Sequence, residues 1–273
     1  MNQPGFQPPL ANRRALVTGS MQGIGLAIAK SLAREGSHIV LHGLGDASVQ
    51  EQARREVLAA GAPSVVVHAH DLADCAAVQA LMNAVLDEGP LDILVNNAGI
   101  QQAVPLADAP IDLWNRLMAI NLTAPFLTMQ AALPQMAARD YGRVINIASV
   151  HGLVASVNKT PYIASKFGLV GISRGAALEY ASAGTRESGG VTVNCICPGW
   201  TETAIIEPQI LARAERFGGD RAAGVRDLLL EKQPSQRMSR PEEIGQLAVW
   251  LCHPIAHNIT GAAIPVEGGW TSQ

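Results

Sequence analysis

Short apolar runs alternate with longer segments of helical spacing along this chain. "RALVT" (14–18), "HIVLH" (38–42), "SVVVHA" (64–69) and "DILVNN" (92–97) read as strands. So do "RVINIAS" (143–149), "VTVNCIC" (191–197) and "AAIPV" (262–266). All are rich in Val and Ile and bordered by turn residues. Between them, residues 23–36, 46–61, 74–88, 111–138 and 160–182 carry apolar positions at helical intervals. Two stretches break this rhythm. "ASAGTRESGG" (181–190) is polar and rich in Gly and Ser, and reads as a surface loop. Residues 201–238 contain helical patterns but follow the sixth strand directly, where they predict a helical lid insert.

Apolar strands separated by amphipathic helices imply a parallel sheet covered on both faces. Seven of them predict a single Rossmann-type, doubly wound α/β domain over residues 13–273, with a seven-stranded parallel sheet. No internal repeat or linker divides it. "MNQPGFQPPLAN" (1–12) is Pro-rich and polar, which predicts a flexible tail and not a signal peptide. No apolar stretch looks long enough to cross a membrane, so the expected location is cytoplasmic. A net charge of −3 and the lack of a long basic run argue against nucleic acid as a partner. Cys75, Cys195, Cys197 and Cys252 form no C-x-x-C pair. Cys195 and Cys197 read as small buried residues of a strand, with metal ligation the weaker alternative. No resident metal is expected.

"TGSMQGIG" (18–25) joins the first strand to the first helix. Gly19, Gly23 and Gly25 allow a tight turn and close approach of a ligand. The helix start then offers N–H groups and a positive dipole end to a pyrophosphate. The spacing G-x-x-x-G-x-G differs from the common G-x-G-x-x-G dinucleotide fingerprint. It resembles that of the short-chain dehydrogenase/reductase family. "NNAG" (96–99), "NLTAPF" with Asn121, "YIASK" (162–166) and "PGWTET" (198–203) match that family's further motifs in order. The resemblance covers about Arg14 to Gly269. It implies a nicotinamide cofactor held by Gly19, Met21, Gly23, Ile24, Asp71, Leu72, Asn97, Ala98, Gly99, Tyr162, Lys166, Pro198, Gly199 and Thr203. No Lys or Arg stands in the glycine turn or in "LHGLGD" at the end of the second strand, which favours NAD over NADP. The usual acid is also missing there: His42 and Gly43 stand in its place, with Asp46 a few residues late. Asp71 could alternatively cap a helix.

By the same resemblance Asn121, Ser149, Tyr162 and Lys166 form a catalytic tetrad, and Asn121 holds a water beside Lys166. Oxidising an alcohol requires a base for the hydroxyl proton, with a pKa near the working pH. A tyrosine lies near 10 in water. Lys166, one helical turn from Tyr162, would favour the phenolate. Ser149 would place the substrate oxygen against Tyr162.

Gln101, His151, Lys159 and Gln209 flank the same sheet edge. One fixed cation, one titratable donor and two amides suit a small carboxylate. Each has a plainer reading: a loop histidine, a solvated lysine, amides capping local backbone. "INIASVHGLVAS", "CPGW", "LLEKQPS" and "GGWTSQ" extend the resemblance to the bacterial D-3-hydroxybutyrate dehydrogenases within this family. That implies a carboxylate clamp of these four residues. Ser149 and Tyr162 would meet the hydroxyl, and Trp200 and Trp270 would shape the methyl end. Trp270 could instead pack at a subunit interface. The expected reaction interconverts D-3-hydroxybutyrate and acetoacetate, in a homotetramer. Glu202 in "TETAIIEP" would oppose an anion unless it points away. The rivals are a short-chain reductase for another ketone or hydroxy acid and a non-catalytic NAD-binding sensor.

Overall fold

A computed structural model of the chain describes residues 8–272. β1 (Arg14–Thr18) leads into α1 (Gly23–Arg34), β2 (His38–His42) into α2 (Ala47–Ala59), and β3 (Val65–His68) into α3 (Cys75–Asp87). β4 (Ile93–Asn96) precedes α4 (Ile111–Met118), a π-helical turn (Ala119–Thr123) and α5 (Ala124–Ala137). β5 (Tyr141–Ile147) is followed by α6 (Thr160–Tyr180). β6 (Gly190–Pro198) is followed by α7 (Glu207–Ala214), α8 (Arg221–Lys232) and α9 (Pro241–Cys252), and β7 (Ala263–Val266) completes the sheet.

All seven strands are parallel, in the order β3-β2-β1-β4-β5-β6-β7. The chain winds outward from β1 in one direction and from β4 in the other, so the crevice between them is the natural ligand edge. Successive side chains of a strand go to opposite faces. Val17, Ile39, Leu41 and Ile145 therefore meet Ile28 and Leu32 of α1 and Ile244 and Leu251 of α9. Leu16, Val40, Leu94 and Val144 meet Leu81 and Val85 of α3 and Leu133 and Met136 of α5 on the other face. Each such side chain contributes about 1.5–3 kcal/mol on full burial, which keeps the sheet rigid beneath its loops.

A polar ladder crosses the second layer. Asn96 Nδ2 donates to Asn146 Oδ1 at 2.8 Å, Thr128 Oγ1 to Asn96 Oδ1 at 2.8 Å, and Asn146 Nδ2 to Ser173 Oγ at 2.7 Å. It fixes β4 and β5 against α5 and α6, the elements that carry the site. Asp46 and Asp74 cap α2 and α3 by accepting from backbone amides of their first turns. Cys195, Cys197 and Cys252 are buried free thiols, and no metal-ligand cluster occurs among the described residues.

Several expectations change. The segment expected as one helix over 111–138 is interrupted by the π turn. It is also long and apolar enough to span a bilayer by composition, against expectation, yet half of that window is buried inside the domain. Of the expected flexible tail, residues 1–7 lie outside the described residues. Residues 8–12 are anchored through Leu10, which is fully buried and whose carbonyl accepts from Ser37 Oγ at 3.2 Å, while Pro9 and Asn12 are exposed. An apolar side chain with a core slot outweighs a polar composition. The insert over 201–238 contains α7 and α8, linked by Arg213 to Asp227 at 2.7 Å and by Arg221 to Glu207 at 2.8 Å.

Candidate active site

A cleft of about 430 Å³ is lined by the segments that leave the C-terminal ends of β1 to β6. At one end lies the glycine turn. Gly19 has φ +63°, and a Cβ there would meet Ala98 Cα at 2.8 Å, so only glycine fits. Asn97 Nδ2 donates to the carbonyls of Thr18 and Gly19, both at 2.9 Å, which locks the "NNAG" turn onto it. α1 starts at Gly23, and its N-cap Gln22 makes no side-chain capping bond. Its first amides lie at the cleft beside Gln22, Gly23 and Ile24.

Asp71 and Leu72 line the same end. Asp71 Oδ1 accepts from Ala73 N at 2.9 Å, while Asp74 is the cap of α3, so the helix-cap reading of Asp71 falls. Asp46 is spent on α2 and does not reach the cleft.

Beyond this end stand Ser149, Tyr162 and Lys166, with Gly99 against Lys166; Asn97, Ala98, Pro198, Gly199 and Thr203 also line the cleft, Ala98 and Thr203 against the glycine turn. Ser149 caps a short 3-10 turn, accepting from His151 N at 3.1 Å. Pro161 stands in the first turn of α6, where no N–H is needed, and Tyr162 and Lys166, one helical turn apart, share a face. Lys166 Nζ donates to Ile147 O at 2.9 Å and lies 5.7 Å from the Tyr162 ring centroid. Burial pulls the ammonium down to about 8. Burial also pushes the Tyr162 phenol up to about 12, only partly opposed by its hydrogen bond with Ser149. The expected depression by Lys166 is therefore absent from the protein by itself, because desolvation outweighs a cation that is turned to a carbonyl. Asn121 sits in the π turn and does not line the cleft. Its Oδ1 accepts from Ile100 N and its Nδ2 donates to Ile100 O, both at 2.9 Å, with a further bond to Ser165 Oγ at 3.1 Å.

The far end is aromatic. The Trp200 and Trp270 rings lie 5.5 Å apart, and His151 meets Trp270 edge-on at 5.4 Å and Tyr162 at 6.0 Å. Lys159 Nζ stands 5.0 Å from the Trp200 ring and 3.5 Å from Gln209 Oε1. Lys159 is only 7% exposed, and burial lowers its pKa to about 8. Among the described residues Asp71, at the opposite end, is the only acid lining the cleft, and Glu231, outside the lining, acts on Lys159 through its charge, raising its pKa in part. His151 Nε2 and Trp200 Nε1 are buried and without partners.

Of the expected contacts, His151, Lys159, Trp200 and Trp270 do meet at this end, and Gln101 lines the cleft. Gln209 does not line the cleft and reaches it only through Lys159. Met21 also lies outside: it packs over Gly43, where a Cβ would meet its Cγ at 2.6 Å. His151 is not titratable near neutrality, because burial and the Lys159 charge lower it to about 3. Glu202 is exposed and absent from the lining. Sequence reasoning missed Gln22, Leu44 and His70, noted His42 only as standing in place of an acid, and missed Ala204, Ile205 and Ile206 of the insert. The last three had a signal in their place just after "PGWTET".

The short chain dehydrogenase family model matches residues 13–213. The D-beta-hydroxybutyrate dehydrogenase of Cupriavidus necator is 45% identical over 266 residues, 97% of this chain and 100% of that protein. The enzyme of the same name from Rhizobium meliloti is 39% identical, over 96% of this chain and 99% of its own. Among solved structures, L-sorbose reductase from Gluconobacter frateurii, complexed with NADPH and L-sorbose, superposes with a TM-score of 0.90 at 29% identity. It covers 98% of this chain and 100% of that one. Motif order, sheet order and full-length similarity agree, and the chain belongs to the short-chain dehydrogenase family.

Proposed function

We propose that this enzyme interconverts D-3-hydroxybutyrate and acetoacetate with NAD. The observation that carries the reading is Lys159: a buried cation over an indole, at a cleft end lined by no acid among the described residues. Burying a cation with no acid in hydrogen-bond contact is costly, and a substrate carboxylate would supply that contact. Two full-length relatives bear the matching name. Gln101 and neutral His151 add polar contacts, Gln209 steadies the ammonium, and Trp200 and Trp270 wall in a short apolar end.

The glycine turn fits a dinucleotide: no Cβ fits at Gly19 and the first amides of α1 lack a side-chain cap. Around it Gly19, Gly23, Ile24, Asp71, Leu72, Asn97, Ala98, Gly99, Pro198, Gly199 and Thr203 would hold the cofactor. Bound NAD would accept the hydride and bring a positive ring beside the phenol, favouring its ionised form. Ser149 holds the substrate hydroxyl against Tyr162, and Tyr162 takes its proton. Lys166, at about 8 and 5.7 Å from the Tyr162 ring centroid, favours the phenolate while protonated. Asn121 fixes the Ile100 backbone that forms the floor, where a water could join it to Lys166. No Lys or Arg lines the cleft along Gly19–Leu72, and Asp71 adds a negative charge, so the unphosphorylated cofactor is preferred.

The test is NADH formation by purified protein with D- and L-3-hydroxybutyrate, each with NAD and with NADP. Rapid turnover of the D form with NAD is expected. NADH binding without turnover of either enantiomer would overturn the substrate and leave the cofactor. The family resemblance also leads us to a tetramer, expected near four times the 28.7 kDa chain mass in light scattering.

A further inference from the structure

His42 stands at the end of β2, where β1, β2 and β3 leave the sheet. It is 3% exposed, yet it lines the cleft between the glycine turn and the exit of β3. Its backbone is tied to the turn: Ser20 N donates to His42 O at 2.9 Å, and His42 N to Ser20 Oγ at 3.0 Å. Its ring makes two more bonds, in opposite directions. Gly19 N donates to Nδ1 at 3.4 Å, and Nε2 lies 2.9 Å from His70 O. A backbone amide can only donate and a carbonyl can only accept. Nδ1 must therefore be bare and Nε2 must carry the hydrogen. Both partners leave the ring only one neutral tautomer. Protonation would set two N–H groups against each other at Gly19.

The two bonds span the cleft wall. Gly19 belongs to the turn that would approach the pyrophosphate. His70 precedes Asp71 and Leu72, which line the adenosine side. We propose that His42 is a positioning residue that sets the spacing between these two walls and so selects the adenosine half of the dinucleotide. It does this as an uncharged bridge, placed where an acid or a cation would otherwise make a direct contact with the ribose. The inference rests on the reading of this cleft as a dinucleotide site. Burial lowers the pKa of His42 from 6.5, in keeping with the locked neutral ring, although the His70 carbonyl opposes this.

Three substitutions separate the arms. His42→Asn keeps an acceptor where Nδ1 stands and loses the reach to His70. His42→Gln reaches the His70 carbonyl and gives up the Gly19 amide. His42→Leu removes both. Affinity for ADP-ribose and for NADH is measured by titration calorimetry and by NADH fluorescence, with melting followed on the same samples. ADP-ribose affinity should fall about tenfold in His42→Leu and about threefold in each single-arm variant, since each lost hydrogen bond leaves a buried partner unpaired. NADH affinity should fall in parallel, and the KM for NAD should rise more than kcat falls. Parental ADP-ribose affinity in the folded single-arm variants would overturn the proposal. So would a loss confined to NADH with ADP-ribose unchanged, or a fall in kcat matching the rise in KM. If the parent protein itself bound neither ligand, the dinucleotide reading would fall first and this inference with it.

Discussion

Replacing Lys159 with methionine should make the protein more stable and a poorer enzyme at once. Burial takes the Lys159 pKa from 10.5 to about 8. A base whose pKa is lower in the folded state costs the fold free energy while it remains charged. Below about pH 8 the full cost is present; it fades between 8 and 10.5, where the folded chain has shed a proton that the unfolded chain keeps. A shift of this size corresponds to about 3 kcal/mol. Methionine keeps the length without the charge, but gives up the cation over Trp200, worth about 0.5–2 kcal/mol. The net gain at pH 7 is about 1–2.5 kcal/mol, a rise in Tm of roughly 2–10 °C for a domain of this size. Substrate binding moves the other way. A charge-assisted bond to a carboxylate in a dry site is worth about 2–3 kcal/mol, so the KM for 3-hydroxybutyrate should rise roughly 30- to 150-fold. Calorimetric melting at pH 7 and pH 9.5, with NADH formation at pH 7, reads both effects. The stability difference should shrink at pH 9.5. A variant that melts below the parent at pH 7, or keeps the parental KM, would refute the reasoning.

Tyr162→Phe should lower kcat by about 10²–10⁴-fold while NADH fluorescence titrations still show binding, because only the proton acceptor is removed. In the parent enzyme the KM for 3-hydroxybutyrate should climb about tenfold per pH unit above about 8, as Lys159 loses its proton before substrate arrives. His151, held down at about 3, should add no acid limb between pH 5 and 7 to that profile, which steady-state kinetics can check. Asn96→Ala leaves Asn146 Oδ1 and Thr128 Oγ1 without their shared partner. It should cost about 2–4 kcal/mol in urea unfolding, at little change in the KM for NAD.

The sheet was readable because strands buried on both faces cannot hide their composition: runs such as "HIVLH" and "RVINIAS" have few other uses. Motif order then located the site, since each motif follows a strand and all strand ends share one edge. Spacing along the chain says less about distance across a cleft. Gln209 lies in the insert at a helical position, and only the packing of α7 shows that it stops at Lys159. Charge state was also hidden. A histidine suggests titration near neutrality and a tyrosine one turn from a lysine suggests a lowered pKa, but burial moves one to about 3 and the other to about 12. His42 looked like a missing acid, and its role needs the carbonyl of His70, which pairing of β2 with β3 brings alongside. The composition of residues 8–12 gave no hint that Leu10 fills a core slot.

The π turn at Ala119–Thr123 sets a rule for chain length here. It holds one more residue than an α turn, and that surplus lets Asn121 face Ile100 while α5 still presents Leu133 and Met136 to the sheet. Removing one residue between 119 and 123 would close the backbone into an unbroken α-helix, and because the π turn absorbs its extra residue, α5 would keep its facing. What would be lost is the placement of Asn121, which holds both backbone groups of Ile100. A one-codon deletion at this point should therefore spare the core and disturb the Ile100 wall of the cleft, whereas the same deletion inside α5 would turn its apolar stripe by about 100°.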